Sequence, residues 1–455
     1  MSDPRREPPR QPEPCAPATS APNSSAPNSS APNSSAPNSS APNSSAPVAS
    51  APNVTDLPRS RFETPHGPFG FELLARAPSG PARVGVFTTP HGDVQTPAFM
   101  PVGTRGTVKG VLPRDLADVG STMILANTLH LHLRPGEALV RELGGLHRFM
   151  AWDGPILTDS GGYQVFSMAD ISTLNEDGVT FKSIIDGARI HISPERAVEI
   201  QRALGADVFM AFDHCPADPT DRRLVEEATA RTHRWLGRCR ARYDADGGLA
   251  TGQALFGIVQ GGAFPELRQK SVDEVAAHGF VGNAIGGVSV GEDREQMLIA
   301  VEAAAPRLPE DRPRYLMGVG TPRDFLDAVA RGVDLFDCVT PTRHGRNHQV
   351  WTTRGKVNVR NGGWKDYDGP LDPGLHVPHV SRFPLGVLRH YAVSDEMLAG
   401  MLLTLQNLAF FHHLMHRVRE AIRAGTLEAL RRDVLPIFER KLTPDLAREL
   451  DRGGA

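Results

Sequence analysis

Three aspartates stand where their chemistry is worth more than their packing. They are Asp159 in Leu157-Thr158-Asp159-Ser160-Gly161-Gly162-Tyr163, Asp213 in Ala211-Phe212-Asp213-His214-Cys215, and Asp337 in Phe336-Asp337-Cys338. Each closes a short apolar run, as do Gln260 and the pair Gly286-Gly287. One such aspartate is ordinarily a turn or helix-cap residue. Several polar run-ends brought together make a site instead. Convergent carboxylates admit two chemistries. One is a metal centre, although the nearby His214 and His344 show neither HxH nor HExxH spacing. The other is metal-free: one carboxylate attacks a sugar carbon while a second handles protons. An amide and a carboxylate, Gln260 and Asp213, suit the donor–acceptor edge of a purine, and Tyr163 offers a stacking face. Arg343 and Arg346, in Pro-Thr-Arg-His-Gly-Arg-Asn after Asp337, are expected on a loop where two guanidiniums could clamp phosphates.

The elements that must position these residues alternate. Apolar runs over Ala98–Val102, Thr122–Ala126, Pro155–Leu157, Asp207–Phe212, Ala254–Val259, Val281–Ile285, Arg314–Met317 and Val333–Phe336 read as eight strands. Helical patterns fall between them at Pro194–Leu204, Arg222–Arg242, Pro265–Ala277 and Arg294–Ala304, with Pro194 and Pro265 in a tolerant first turn. This predicts an α/β fold, a (β/α)8 TIM barrel, whose strand C-termini carry the site. An open doubly wound sheet is the alternative, and the absence of a GxGxxG after the first strand weakens it. Two further strand-like runs, Ala82–Phe87 and Val94–Thr96, precede the barrel around a Pro-His-Gly-Asp turn.

The chain has 455 residues, 49 Lys+Arg and 52 Asp+Glu, so it is no basic nucleic-acid coat, though a local basic strip is allowed. Residues 1–62 are expected to form a disordered low-complexity tail. The pentad APNSS repeats five times there from Ala21, and such a composition buries too little apolar surface to offset chain ordering. Residues 63–445 are expected to be the barrel domain. Four dispersed cysteines form no disulfide framework or CxxC knuckle. With no apolar run long enough for a membrane span and no secretory signal, a cytoplasmic protein is expected.

At the residues that carry the chemistry, the chain resembles bacterial queuine tRNA-ribosyltransferases, the tRNA-guanine transglycosylases. The resemblance runs from about Phe69 to Arg440. It rests on LANTLHLHLRPG (Leu125–Gly136), LTDSGGYQVFS (Leu157–Ser167), MAFDHC (Met210–Cys215), FGIVQGG (Phe256–Gly262), AIGGVSVGE (Ala284–Glu292), YLMGVGTP (Tyr315–Pro322) and FDCVTPTRHGRN (Phe336–Asn347). It implies base exchange at the wobble guanine of tRNAs with GUN anticodons (Asp, Asn, His, Tyr), in queuosine biosynthesis; the alternative, motivated by missing zinc ligands, is a non-catalytic tRNA-binding paralogue or partner subunit. Asp337 would be the nucleophile and Asp159 the proton acceptor. The base would lie among Asp159, Ser160, Gly161, Gly162, Tyr163, Asp213, Gln260 and Gly287. The RNA would touch Gly318-Val319-Gly320-Thr321-Pro322-Arg323-Asp324 and Thr342-Arg343-His344-Gly345-Arg346. Cys215 and Val290 resemble the bacterial form, which implies 7-aminomethyl-7-deazaguanine as the incoming base. The resemblance also implies a homodimer.

One segment departs from the family pattern. The family's structural zinc is held by three cysteines and a histidine in a subdomain spanning about 362–410 here. Leu375, Val377 and Val380 occupy the cysteine positions and Gln406 the histidine position. No zinc is therefore expected there, nor any other cofactor, and a small apolar cluster is expected instead. The stretch Phe410-Phe411-His412-His413-Leu414-Met415-His416 reads as an amphipathic helix with exposed histidines.

Overall fold

The computed structural model describes residues 67–168, 170–216 and 218–453; the segment 1–62 lies outside them. Sixteen strands follow in chain order: β1 (Gly70–Arg76), β2 (Arg83–Thr89), β3 (Gly92–Thr96), β4 (Ala98–Gly103), β5 (Ile124–Ala126), β6 (Ile156–Thr158), β7 (Asp170–Leu174), β8 (Val179–Lys182), β9 (Arg189–Ile192), β10 (Val208–Met210), β11 (Ala254–Val259), β12 (Asn283–Ile285), β13 (Arg314–Leu316), β14 (Leu335–Cys338), β15 (Gln349–Thr352) and β16 (Gly355–Asn358). Eight of them close a barrel in the order β10-β11-β12-β13-β14-β4-β5-β6. Every neighbouring pair in it is parallel. The eight expected strands are these eight, so the barrel reading holds.

Parallel closure buries both faces of each strand, which is why the runs are continuously apolar rather than alternating. Met100, Leu125, Leu157, Met210, Phe256, Ile258 and Ala284 fill the interior, and a larger apolar layer packs the outer faces against helices. The antiparallel sheet β1-β2-β3 sends Phe69 and Phe87 into the inner cluster; the Phe87 ring lies 5.8 Å from that of Phe256. A buried ion pair locks the same N-terminal face. Arg83 donates to both Asp334 oxygens at 3.0 and 2.6 Å, with both side chains fully buried. Two further N–H groups reach the carbonyls of Glu310 and Arg312, so four of its five donors are hydrogen-bonded.

The helices Pro194–Leu204, Pro265–Ala277 and Arg294–Ala304 match their expected spans, and that starting at Arg222 runs on to Ala245. Two elements differ from expectation. The segment Thr342–Arg346 is not a loop but most of a short helix, Thr340–Arg346. Its Pro341 occupies a position that needs no backbone N–H, so the chain turns helical at once. The histidines near 412 are not all exposed. The helix there is 27 residues long, Met397–Arg423, and it packs against the barrel. His412 bonds Ser121 Oγ at 2.8 Å and lies beside the Phe99 ring, and burial holds it neutral by pushing its pKa down to about 3. Only His416 of the three is exposed. A third sheet, β7-β8-β9, leaves the barrel between β6 and β10.

Candidate active site

Because the strands are parallel, their C-terminal ends share one face, and the candidate residues gather there. Asp159 follows β6, Asp213 follows β10, Gln260 follows β11, and Gly286-Gly287 follow β12. Asp337 lies within β14, one residue before its end.

Two donors hold Asp337. The Tyr315 hydroxyl donates to Oδ1 at 2.6 Å, and the Gly318 backbone N–H donates to the same oxygen at 2.7 Å. Gly318 reaches that point with φ of +72°, where a side chain would be strained. Oδ2 takes neither bond. Burial pushes the Asp337 carboxyl above its ordinary range, opposed by these two bonds. Burial also drives the Tyr315 hydroxyl well above its usual pKa, so it stays a donor.

Asp159 is fixed from the next strand end. Asn127 Nδ2 donates to Oδ2 at 2.5 Å, Thr128 N to Oδ1 at 2.9 Å, and Gln164 Nε2 to Oδ2 at 3.3 Å. Asn127 also caps the helix Thr128–Leu133 through its Oδ1, so one residue anchors both the helix and the acid. Burial raises the Asp159 carboxyl to about 7, and the charge of Asp337 adds to that push against the Thr128 and Asn127 bonds. Two carboxylates whose surroundings keep them from ionising together are the usual signature of a divided acid–base task.

The third carboxylate belongs to another group. Ser160 Oγ donates to Asp213 Oδ1 at 3.0 Å and Gln260 Nε2 to Oδ2 at 2.7 Å. The Cys215 thiol approaches the same oxygen at 3.7 Å. All four are buried. A Cβ on Gly162 would come within 2.7 Å of Asp213 Oδ1, and one on Gly287 would collide with Gln260 Oε1. Glycines at these two positions therefore keep side-chain atoms off this carboxylate–amide pair. Tyr163, 45 % exposed at the start of the helix Gly162–Met168, presents a free ring face.

Sequence reading missed two contributors. Tyr315 sits inside β13, where an aromatic reads as core. Arg268 sits in the helix Pro265–Ala277, and its guanidinium is wholly buried. It donates to the carbonyls of Gly262 (2.7 Å), Val259 (3.1 Å), Gly286 (2.7 Å) and Gly287 (3.0 Å). It thus ties the loop after β11 to the loop after β12. Nothing in the helical pattern marks it, save a charge at a position facing inward.

The two expected RNA segments flank Asp337. Gly318, Thr321 and Arg343 are exposed, and Gly320, Arg323, Asp324, His344 and Arg346 are half-buried. Val319, Pro322, Thr342 and Gly345 are buried. Thr321 and Asp324 form a reciprocal cap on the helix Pro322–Val329.

In the 362–410 segment, Val377 and Val380 are 2 % and 0 % exposed within the core, and Leu375 packs against it. Gln406 is buried, and its Nε2 has no hydrogen-bond partner. Aliphatic side chains have no lone pair to give a metal, so these positions do not fit zinc. Of the nearby histidines, only His379 joins a three-ligand cluster among the described residues, with Asp115 and Asp118.

A closed parallel barrel with carboxylates and an amide gathered at its strand C-termini has the build of a barrel enzyme, in which that face carries the chemistry. The chain belongs to the queuine tRNA-ribosyltransferase family, whose family model matches residues 78–440. It is 50 % identical over 359 residues to a queuine tRNA-ribosyltransferase of Solidesulfovibrio magneticus, covering 79 % of this chain and 95 % of the relative. It is likewise 50 % identical over 359 residues to one from Cereibacter sphaeroides (79 % and 94 %) and 49 % identical over 374 residues to one from Herpetosiphon aurantiacus (82 % and 93 %).

Proposed function

We propose that the chain is a pentosyltransferase that exchanges the wobble guanine of GUN-anticodon tRNAs for 7-aminomethyl-7-deazaguanine. Asp337 Oδ2 attacks the ribose anomeric carbon; the bond from that carbon to guanine breaks as the ester to Asp337 forms, and the departing guanine nitrogen takes the proton of Asp159. The incoming base gives its ring N–H proton to Asp159 while its nitrogen displaces Asp337, restoring the carboxylate. Asp213, Gln260 and the backbone at Gly287 hold the base edge, with Ser160, Gly161 and Gly162 shaping the slot and Tyr163 stacking. The segments 318–324 and 342–346 meet the RNA. The carrying observation is the one-sided hydrogen bonding of Asp337, which leaves one oxygen unencumbered beside a second carboxyl.

The same reading takes the enzyme to act in the cytoplasm, and to work without zinc in its 362–410 subdomain. No helix among the described residues is long and apolar enough to cross a membrane. It also takes the enzyme as a homodimer, supported by the exposed apolar Val393, Met397 and Leu398 in that subdomain; a monomeric mass by light scattering would contradict this.

The deciding experiment incubates the protein with unmodified tRNA(Tyr) and radiolabelled guanine. Incorporation that vanishes in Asp337→Ala, with a denaturant-resistant RNA adduct in the parent only, is expected. Equal incorporation by the variant would overturn the assignment.

A further inference from the structure

On the opposite face of the barrel from Asp159 and Asp337, three metal-capable side chains meet. His91 lies in the turn between β2 and β3, His147 in the helix Gly145–Met150, and Asp207 immediately before β10. His91 Nδ1 is 2.6 Å from Asp207 Oδ1, and His147 Nε2 is 3.0 Å from Oδ2. Their donor atoms all lie within 4.8 Å of one another. The two imidazoles stack face to face, with centroids 3.7 Å apart and planes 19° off parallel.

We propose that His91, His147 and Asp207 form a zinc-type divalent-metal site that clips the β2–β3 turn to the floor of the barrel. Neither the base-exchange chemistry nor the family's subdomain zinc uses these residues. Two imidazoles and one carboxylate are a common three-ligand set for zinc, which binds nitrogen at about 2.0–2.1 Å and carboxylate oxygen at about 2.0–2.2 Å and keeps a fourth position for water.

Two features favour an ion beside a plain salt bridge. The carboxylate is already oriented from behind, because Ile156 N donates to Asp207 Oδ2 at 2.8 Å. Such outer-shell bonds ordinarily aim metal ligands. Finally, the side chains are 43 %, 17 % and 0 % exposed in the order His91, His147, Asp207. That gradient gives an ion an entry path and room for water on the His91 side. For both in-plane lone pairs to meet one ion, the N–H of each ring must shift to the other nitrogen and the exposed His91 ring must turn out of the stack, while its turn opens the two N···O contacts to the roughly 3.3 Å that a tetrahedral ion requires.

The test uses the full chain, stripped with chelator and desalted, and titrates it with Co2+ alone. One equivalent is expected to bind with visible tetrahedral d–d absorption, and to raise Tm. Loss of outer-shell partners alone costs metal sites about 10- to 100-fold in affinity, so His91→Gln should weaken Co2+ by at least about tenfold and abolish the Tm rise. His147→Gln should do the same, while His379→Ala, at the Asp115–Asp118 cluster, should leave both unchanged. Guanine exchange should persist in His91→Gln, which confirms the fold. His91 occupies an exposed turn, so this variant carries the test even if His147→Gln misfolds. Co2+ affinity equal in the parent and His91→Gln, or no uptake by the parent, overturns the site.

Discussion

The Tyr315 hydroxyl donates to Oδ1 of Asp337 at 2.6 Å, the same oxygen that accepts from Gly318 N. The bond fixes the carboxylate through Oδ1 without engaging Oδ2, and it helps keep a buried group ionised. A hydrogen bond to a charged group is worth about 1.5–3 kcal/mol. Tyr315→Phe should therefore lower kcat by about 10- to 100-fold with little change in KM for tRNA. It should also move the acid limb of the pH profile upward, since losing a donor raises the pKa of a group that must be charged. Wild-type kcat with an unmoved acid limb would contradict the role.

Asp159, held at about 7 chiefly by burial and further by the charge of Asp337, should serve the two half-reactions differently. In the free enzyme near neutral pH it is substantially protonated and can hand a proton to departing guanine. In the proposed cycle, esterification of Asp337 removes its charge, so Asp159 should fall below 7 and ionise in time to accept a proton from the incoming base. Accordingly kcat/KM for tRNA should decline as pH rises through about 7, and kcat/KM for the base should decline as pH falls through a lower value. Asn127→Ala, which removes a bond to the charged form, should shift both limbs to higher pH. Limbs that coincide, or that ignore Asn127, would refute this division.

Much of this site was legible because carboxylates and an amide at strand ends are conspicuous against apolar runs. The eight strands were legible for the same reason, though their ends moved: Thr122–Ala126 shrinks to β5 at Ile124–Ala126, and Asp207–Phe212 to β10 at Val208–Met210. The helices Pro194–Leu204 and Pro265–Ala277 were fixed by a proline in the first turn. What stayed hidden depends on tertiary context. Tyr315 and Arg268 act by pointing at groups far away in the chain, and no local pattern records that. The β7-β8-β9 sheet was missed because its strands mix polar and apolar residues over four or five positions. His412 looked exposed because a helix presents polar residues on any face; only packing against Phe99 and Ser121 decided it.

Arg268 makes a separable prediction. Its guanidinium, still charged with a pKa pushed down to about 10 by burial, satisfies four backbone carbonyls. Arg268→Met would orphan three of them, since the Val259 carbonyl keeps its bond from Gly286 N; at about 1 kcal/mol or more each, it should lower stability by at least about 3 kcal/mol in denaturant titration. Arg268→Lys keeps a charge but cannot span both loops. It should fold, and raise KM for guanine by about tenfold while leaving kcat within a few-fold, because it loosens the Gly286–Gly287 edge rather than the carboxylates. A purely structural role would lower stability in Arg268→Lys without moving KM.

The subdomain without cysteines can be tested at Gln406 and Val380. An aliphatic core stabilises by exclusion of water, so its members should behave as packing residues and not as relics of a metal site. Val380→Ala removes buried methyl groups and should cost about 2 kcal/mol. Gln406→Met has the opposite expectation. The Gln406 Nε2 is buried without a partner, and an unsatisfied buried donor costs about 1–3 kcal/mol; a thioether of similar length removes that cost and should raise Tm. Metal analysis of the His91→Gln, His147→Gln double variant isolates this segment from the opposite barrel face, and should find no stoichiometric zinc. Zinc retained there, together with a lower Tm for Gln406→Met, would mean that Gln406 is a ligand and that the segment still folds around an ion.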